Sequence, residues 1–240
     1  MTLPCVAIQI AENLYRLPTL GAFINSYAFI NEDSSVTLVD CGLPGSSKKL
    51  VADLARIGKH PKDVKNIILT HAHEDHVGGA SEMILECDTK NVMMHPADSE
   101  LTQAGKTPPR DKSRFSGKVM SLMPDRGYKP FAITRKLNDR EIIDSAGGIQ
   151  VIHTPGHTLG HISLLHLESQ TLITGDSIFN MTSRITWALS GFCVNYKQSQ
   201  ETAKRFLDLD FRNACFTHGP EIREHGKERI KKFLSKKGLD

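Results

Sequence analysis

Residues 67–80, IILTHAHEDHVGGA, constrain this chain more than any other stretch. Four side chains able to ligate a metal, His71, His73, Asp75 and His76, fall within six positions. The apolar run Ile67, Ile68, Leu69 ahead of them predicts a buried strand. Gly78 and Gly79 behind them lead into Ala80 to Glu86, which fits a helix. A tight loop at the C-terminal end of a strand is where α/β proteins usually place their sites. Alternate residues of an extended segment point the same way, so His71 and His73 can grip one ion while Asp75 and His76 face a second position. Neutral imidazole suits zinc and iron, and a carboxylate adds charge that holds a second cation. A solvated His-rich loop would explain one His pair, but it fits poorly with four ligand types packed directly after a hydrophobic strand.

A chain of 240 residues can bury a substantial core, and its 39% hydrophobic and 24% charged shares are those of a soluble globular protein. The net charge of +3 is too small to argue for nucleic acid. The basic run Lys231, Lys232, Lys236 and Lys237 reads as a solvated helix face. Five scattered cysteines, Cys5, Cys41, Cys87, Cys193 and Cys215, include no CxxC. That pattern is neither a disulfide framework nor a thiolate zinc site, and it points to a reducing compartment. The N-terminus lacks a basic n-region and carries Glu12, so no signal peptide is expected. No apolar run reaches membrane-spanning length. A cytoplasmic protein with no membrane or nucleic-acid partner is expected.

Residues 6–17, 23–30 and 36–39 read as strands, the last ending at Asp40-Cys41-Gly42. Ser46 or Ser47 can cap a helix with Leu50, Val51, Leu54 and Ile57 on one face, stopped by Gly58. Residues 91–94 form a strand closed by His95-Pro96. Residues 102–130, with Pro108, Pro109, Pro124 and Pro130 and little periodicity, read as a loop or lid inserted in a single domain spanning 1–240. Strands resume at 133–137, 141–143, 149–152, 162–167 and 171–174. Residues 180–196 look irregular, 197–209 helical, 215–217 a short strand, and a basic helix closes the chain. Four times an apolar strand ends in a ligand-type residue beside glycine: in the first loop and at His157, Asp176 and His218. Strands with flanking helices in each half predict two sheets packed face to face with helices outside, the ligands meeting at one edge.

Taken together, THAHEDHVGG, TPGHTLGH, GDS and THG resemble the metal-ligand set of the metallo-β-lactamase superfamily, in its order and over nearly the whole chain. The resemblance implies an α/β fold, a four-layer αββα sandwich of two mixed sheets. It implies that His71, His73 and His157 hold one divalent metal, that Asp75, His76 and His218 hold a second, and that Asp176 bridges them. Zinc is the first expectation, with iron or manganese as alternatives. It also implies a hydroxide between the ions as nucleophile, with Asp75 steering it and passing a proton to the leaving group. Asp40 stands where the family has an aspartate ending a strand, able to hold a ligand His from behind or merely to make a turn. His95, His153 and His161 read as packing or supporting residues. Glu74 should point away from the site. Trp187, Phe192 and Tyr196 either line a pocket or pack.

The superfamily supports several chemistries. Phe179, three residues after Asp176 in GDSIF, resembles glyoxalase II-like thioesterases. Only a short tail follows His218, however, where those enzymes carry a glutathione-binding domain. Acyl-homoserine lactonases often have a tyrosine at the Phe179 position, so that specific mechanism is weakened here. Export is typical of true β-lactamases and is not expected for this chain. Flavin-linked diiron members have Glu where this chain has His73. A mononuclear iron persulfide dioxygenase could use His71, His157 and Asp176, but Asp75, His76 and His218 would then be idle. A phosphodiesterase and a non-catalytic metal-binding module are the remaining alternatives. The expected function is a dinuclear metal hydrolase acting on a small ester, lactone or thioester.

Overall fold

A computed structural model describes residues 6–122, 127–182 and 184–239. Cys5 and Pro124 lie outside the described residues. The chain opens with antiparallel strands β1 (Ile8–Ala11), β2 (Leu14–Leu20), β3 (Ile24–Ile30) and β4 (Val36–Val39). The segment 6–17, expected as one strand, is broken at Asn13, whose positive φ of 62° turns β1 back onto β2. Helix α1 (Ser47–Arg56) buries Leu50 and Leu54 and ends before Gly58. Strand β5 (Val64–Ile68) runs parallel to β4 and leads into α2 (Glu74–Val77) and α3 (Ala80–Cys87). Strand β6 (Asn91–Met94) runs parallel to β5.

Besides the single turn α2 within the ligand loop, two helices appear where none was expected. Helix α4 (Pro96–Gln103) starts where the β6 strand was read as simply closing. Its cap is the His95 side chain, which accepts from the Ala97 N–H at 3.2 Å, with Pro96 at the first helical position. The polar sequence PADSELTQ has too weak an apolar stripe to announce it. Helix α5 (Phe115–Met120) lies inside 102–130 and packs against residues 190–192, where Ser116 Oγ meets Ser190 Oγ at 2.9 Å.

The second half supplies β7 (Arg135–Lys136), β8 (Ile142–Ile143), β9 (Ile149–His153), β10 (Ile162–His166) and β11 (Thr171–Ile173). A small hairpin follows, of β12 (Ile178–Phe179) and β13 (Thr186–Trp187), in a region expected to be irregular. Helix α6 (Tyr196–Thr202) is capped by Asn195 and tightens into a 3-10 helix, Ala203–Asp208, rather than staying α-helical to residue 209. Strand β14 (Asn213–Cys215) and helix α7 (Gly226–Ser235) complete the chain.

Strands β1 to β7 form one mixed sheet in sequence order. A second mixed sheet has the order β14-β11-β10-β9-β8. Three clusters of buried side chains fill the spaces between four layers. Leu38, Ile67 and Leu69 pack against α1 and α3 through Leu54 and Met83. Tyr27, Phe29 and Ile68 meet Val151, Ile162 and Leu164 between the sheets. Leu165 and Phe216 pack against Phe206 and Leu234 on the outer face. This is the αββα sandwich that the resemblance implied. Fully burying each large apolar side chain contributes roughly 1.5–3 kcal/mol, and most of that stability is spent on chain ordering. The loops after β5, β9 and β11 and the turn after β14 converge at one end of the sandwich. No helix among the described residues is long and apolar enough to cross a membrane.

Candidate metal centre

All seven predicted side chains meet at that end. His71 Nε2 lies 3.0 Å from His73 Nδ1, which is 2.9 Å from His157 Nε2. The two histidines of the HxH pair therefore converge as expected, but through different ring nitrogens. A second triplet is Asp75, His76 and His218, with His218 Nε2 at 3.4 Å and His76 Nε2 at 3.7 Å from Asp75 Oδ2. Asp176 stands between the two. Its Oδ2 lies 3.2 Å from both His157 Nε2 and His218 Nε2, and its Oδ1 lies 3.3 Å from His76 Nε2.

The ring nitrogens that face away are held by protein groups. His71 Nδ1 lies 3.1 Å from Thr70 Oγ1, which donates to Asp40 Oδ2 at 2.8 Å. His76 Nδ1 meets the same carboxylate oxygen at 2.8 Å, and Asp40 Oδ1 accepts the Thr70 N–H at 2.8 Å. His218 Nδ1 donates to the Phe23 carbonyl at 2.6 Å. With each Nδ1 bonded to a protein group, the Nε2 atoms of His71, His76 and His218 are the ones that face inward, the arrangement metal-ligating histidines require. Asp40 is both readings at once: it turns the chain with φ of 59°, an uncommon conformation for aspartate, and it holds a histidine from behind.

The donor set fits a pair of divalent ions. His76 Nε2 is buried and lacks a well-formed hydrogen bond among the described residues, with Asp176 Oδ1 at 3.3 Å and Asp75 Oδ2 at 3.7 Å, a gap that a shared cation would fill. Burial and the neighbouring imidazoles of His76 and His157 keep His71 and His73 well below the usual histidine pKa. They are therefore neutral donors at pH 7. Burial would also lower His218, but Asp176 and Asp75 raise it to about 10, and His76 is likewise held well above its ordinary value. Without a cation, protons on these two histidines offset the buried carboxylates. A metal ion would replace that charge.

Supporting residues that the sequence did not disclose lie around this set. Asp98, on α4 and only 1% exposed, accepts from the Ala72 N–H at 3.0 Å, Thr158 Oγ1 at 2.6 Å and the Gly160 N–H at 2.7 Å. It ties the His71–His73 loop to the His157 loop. Thr217 Oγ1 donates to Asp176 Oδ1 at 2.6 Å. Cys193 Sγ sits 3.5 Å from His157 Nδ1, and burial pushes its thiol up to about 12. No spacing signal marks any of the three, because each acts across 26 or more residues of sequence. His161 supports rather than ligates: its Nε2 accepts the Asp176 N–H at 2.7 Å. Gly175 permits this contact, since its φ is 54° and a Cβ there would lie 2.5 Å from His161 Nε2. His153 stacks on His95 with ring centroids 3.9 Å apart, remote from the cluster. Glu74, expected to point away, contributes to the cavity wall.

That cavity, of about 650 Å³, opens over the cluster. Its walls are mainly apolar and include Phe23, Ile24, Phe179 and Phe192, with Pro108 and Met120 contributed from residues 102–130. Phe192 is thus a pocket residue, whereas Trp187 packs on Phe233 with centroids 4.7 Å apart.

The family model of the metallo-beta-lactamase superfamily matches residues 20–218. The uncharacterized protein YobT of Bacillus subtilis (strain 168) is 30% identical over 225 residues, covering 89% of this chain and 90% of that protein. A hydroxyacylglutathione hydrolase of Pseudomonas aeruginosa (strain LESB58) is 29% identical over 169 residues, covering 69% of this chain and 52% of that protein. A metallo-β-lactamase of Cronobacter sakazakii shares the fold with a TM-score of 0.74 at 15% identity, covering 99% of this chain and 95% of that one.

Proposed function

The chain belongs to the metallo-β-lactamase superfamily, and from that premise we propose that it is a cytoplasmic dinuclear metal hydrolase acting on a small thioester, ester or lactone. One observation carries the reading: seven ligand-type side chains converge, among them His76 with a buried Nε2 that lacks a well-formed hydrogen bond, directly beneath an apolar cavity. In this reading His71, His73 and His157 would hold one ion, Asp75, His76 and His218 would hold the second, and Asp176, which stands between the two triplets, would serve both. Zinc is the first choice for this nitrogen and oxygen set. When bound, such ions supply Lewis acidity and acidify water near neutral pH.

The protein's own groups do the rest. Asp75 is the carboxylate of the set most open to the cavity, its side chain 29% exposed, and is placed to take a proton from the attacking water and pass it to the leaving group. Phe179, its ring centroid 4.4 Å from that of His218, offers an apolar wall and no hydroxyl. It favours a substrate held by shape and burial over one held by a phenol hydrogen bond. Residues 102–130 act as a lid on a single domain, contributing Pro108 and Met120 to the wall. A thioester is favoured among the substrate classes by the likeness to a hydroxyacylglutathione hydrolase. The complete second triplet favours two ions over a single-iron oxygenase site.

The test is metal analysis of the purified protein combined with a panel of thioesters, lactones, esters and phosphodiesters. Two equivalents of metal and turnover of a thioester or lactone are expected. Asp75→Asn and His73→Ala should each lower kcat/KM by about 100-fold or more in a metal-replete assay. Near-wild-type turnover by both variants would overturn the assignment.

A further inference from the structure

The positive charge of this chain is unevenly placed. Residues 102–130 contain seven Lys or Arg and two Asp, whereas the other residues together carry a net negative balance in a chain whose total is +3. The surplus is therefore concentrated in the segment that contributes Thr107, Pro108, Arg110 and Met120 to the cavity lining. Lys106, Arg110, Lys112, Arg114 and Lys118 form no ion pair with a carboxylate among the described residues. Arg110 lines the cavity and lies over the Phe192 ring, 5.5 Å from its centroid. Arg114 lies over Tyr196 at 4.6 Å. Lys112 and Lys118 are exposed on the same segment.

Tyr196 belongs to a second, open groove beside the first. Its wall holds Trp187, Tyr196 and Phe233 together with Lys236 and Lys237, and Leu189 lines both depressions. The surface thus runs from an apolar cavity over the metal-ligand cluster, past two arginines resting on aromatic rings, to an aromatic groove with two lysines. Apolar chain, anionic linker and flat ring is the order of groups it complements. Aromatic faces accept planar bases and unpaired lysines and arginines accept phosphates. The terminal lysines, read from sequence as a solvated face, acquire a role only because the fold sets them beside Trp187.

We infer that the leaving group of the substrate is a phosphate-bearing nucleotide thiol: the acyl part enters the cavity, phosphates meet Arg110, Arg114 and the lid lysines, and the base reaches the groove of Trp187, Lys236 and Lys237. This rests on the hydrolase reading above. The reaction is redox-neutral. Water adds its oxygen to the acyl carbon, the carbon–sulfur bond breaks, and the departing thiolate takes a proton, leaving a carboxylic acid and a free thiol.

The probe is a pair of thioesters with one short acyl group, one on coenzyme A and one on N-acetylcysteamine, which lacks phosphates and base. With the metal-loaded full chain at low salt, KM for the coenzyme A thioester should be about ten-fold or more lower, since each exposed ion pair contributes a factor of about two to five. Added salt should shrink the ratio by screening. Lys112→Glu/Lys118→Glu and Lys236→Glu/Lys237→Glu, all at exposed positions, should each drive the KM ratio towards one. They should also weaken binding of free coenzyme A in calorimetric titration. Equal KM values for the two thioesters, insensitive to salt and to these charge reversals, would overturn the inference while leaving the hydrolase reading intact. Charge-dependent binding of coenzyme A without hydrolysis of either thioester would overturn the assignment of the leaving group while leaving the ester and lactone forms of the hydrolase reading standing. No binding of coenzyme A would also overturn the inference.

Discussion

Asp98→Ala tests whether the two halves of the site are held in register by one buried carboxylate. Asp98 accepts three hydrogen bonds, two from backbone N–H groups of ligand loops and one from Thr158. All three donors are buried, so truncation leaves them unmatched. Bonds to a charged acceptor contribute about 1.5 kcal/mol or more each, which gives roughly 4–5 kcal/mol for the set. Burial raises the Asp98 pKa against the opposing effect of its hydrogen bonds from Thr158, Gly160 and Ala72. Removing the buried charge therefore returns part of that sum, and a net loss of about 3 kcal/mol is expected. In a chain of this size that lowers Tm by about 6–12 °C. Asp98→Asn, which keeps the shape but turns an NH₂ towards one donor, should fall between wild type and alanine. Because Ala72 separates His71 from His73 and Gly160 follows His157, affinity for the first ion should drop about 10–100-fold. Asp40→Asn should instead act on the His76 side. Thermal unfolding and two-site competition with a chelator measure both quantities. An Asp98→Ala protein within about 1 kcal/mol of wild type, with unchanged metal affinity, would refute the tie between the loops.

Three further outcomes are expected. His95 has its pKa lowered to about 4, by burial first and by neighbouring His153 second. The unfolded chain gains that proton near pH 6.5 and the folded chain only near 4, so stability falls as pH drops through this window. His95→Asn, which keeps an N-capping acceptor for α4, should flatten that part of a denaturation-midpoint profile, and an unchanged slope would dismiss the assignment. Gly175→Ala should cost at least about 1–3 kcal/mol and displace Asp176 through His161, so that purified protein holds fewer than two metal ions. Chelation should lower Tm reversibly: zinc at 100 times its Kd adds about 2.7 kcal/mol. A melting curve indifferent to zinc would mean that no folded-state site exists.

The sequence by itself determined what is local. The HxHxDH cluster, its preceding strand and the glycines after it lie within fourteen residues. Short-range geometry therefore places His71 beside His73 and Asp75 beside His76. The repeated pattern of an apolar strand ending in a ligand type also announced two sheets with helices outside. Elements without periodicity escaped: α4 has a polar sequence, α5 is only six residues long, and β12–β13 pairs two residues with two. Only the tertiary structure decided which ring nitrogens His76 and His218 turn inward, because that depends on Asp40 and the Phe23 carbonyl arriving from distant parts of the chain. It also decided that Asp98 would brace two loops and that lysines at the far end of the chain would stand next to Trp187. Hydrogen bonds and charge act through space over a few ångströms, and the distance along the chain between the groups they join leaves no spacing to read.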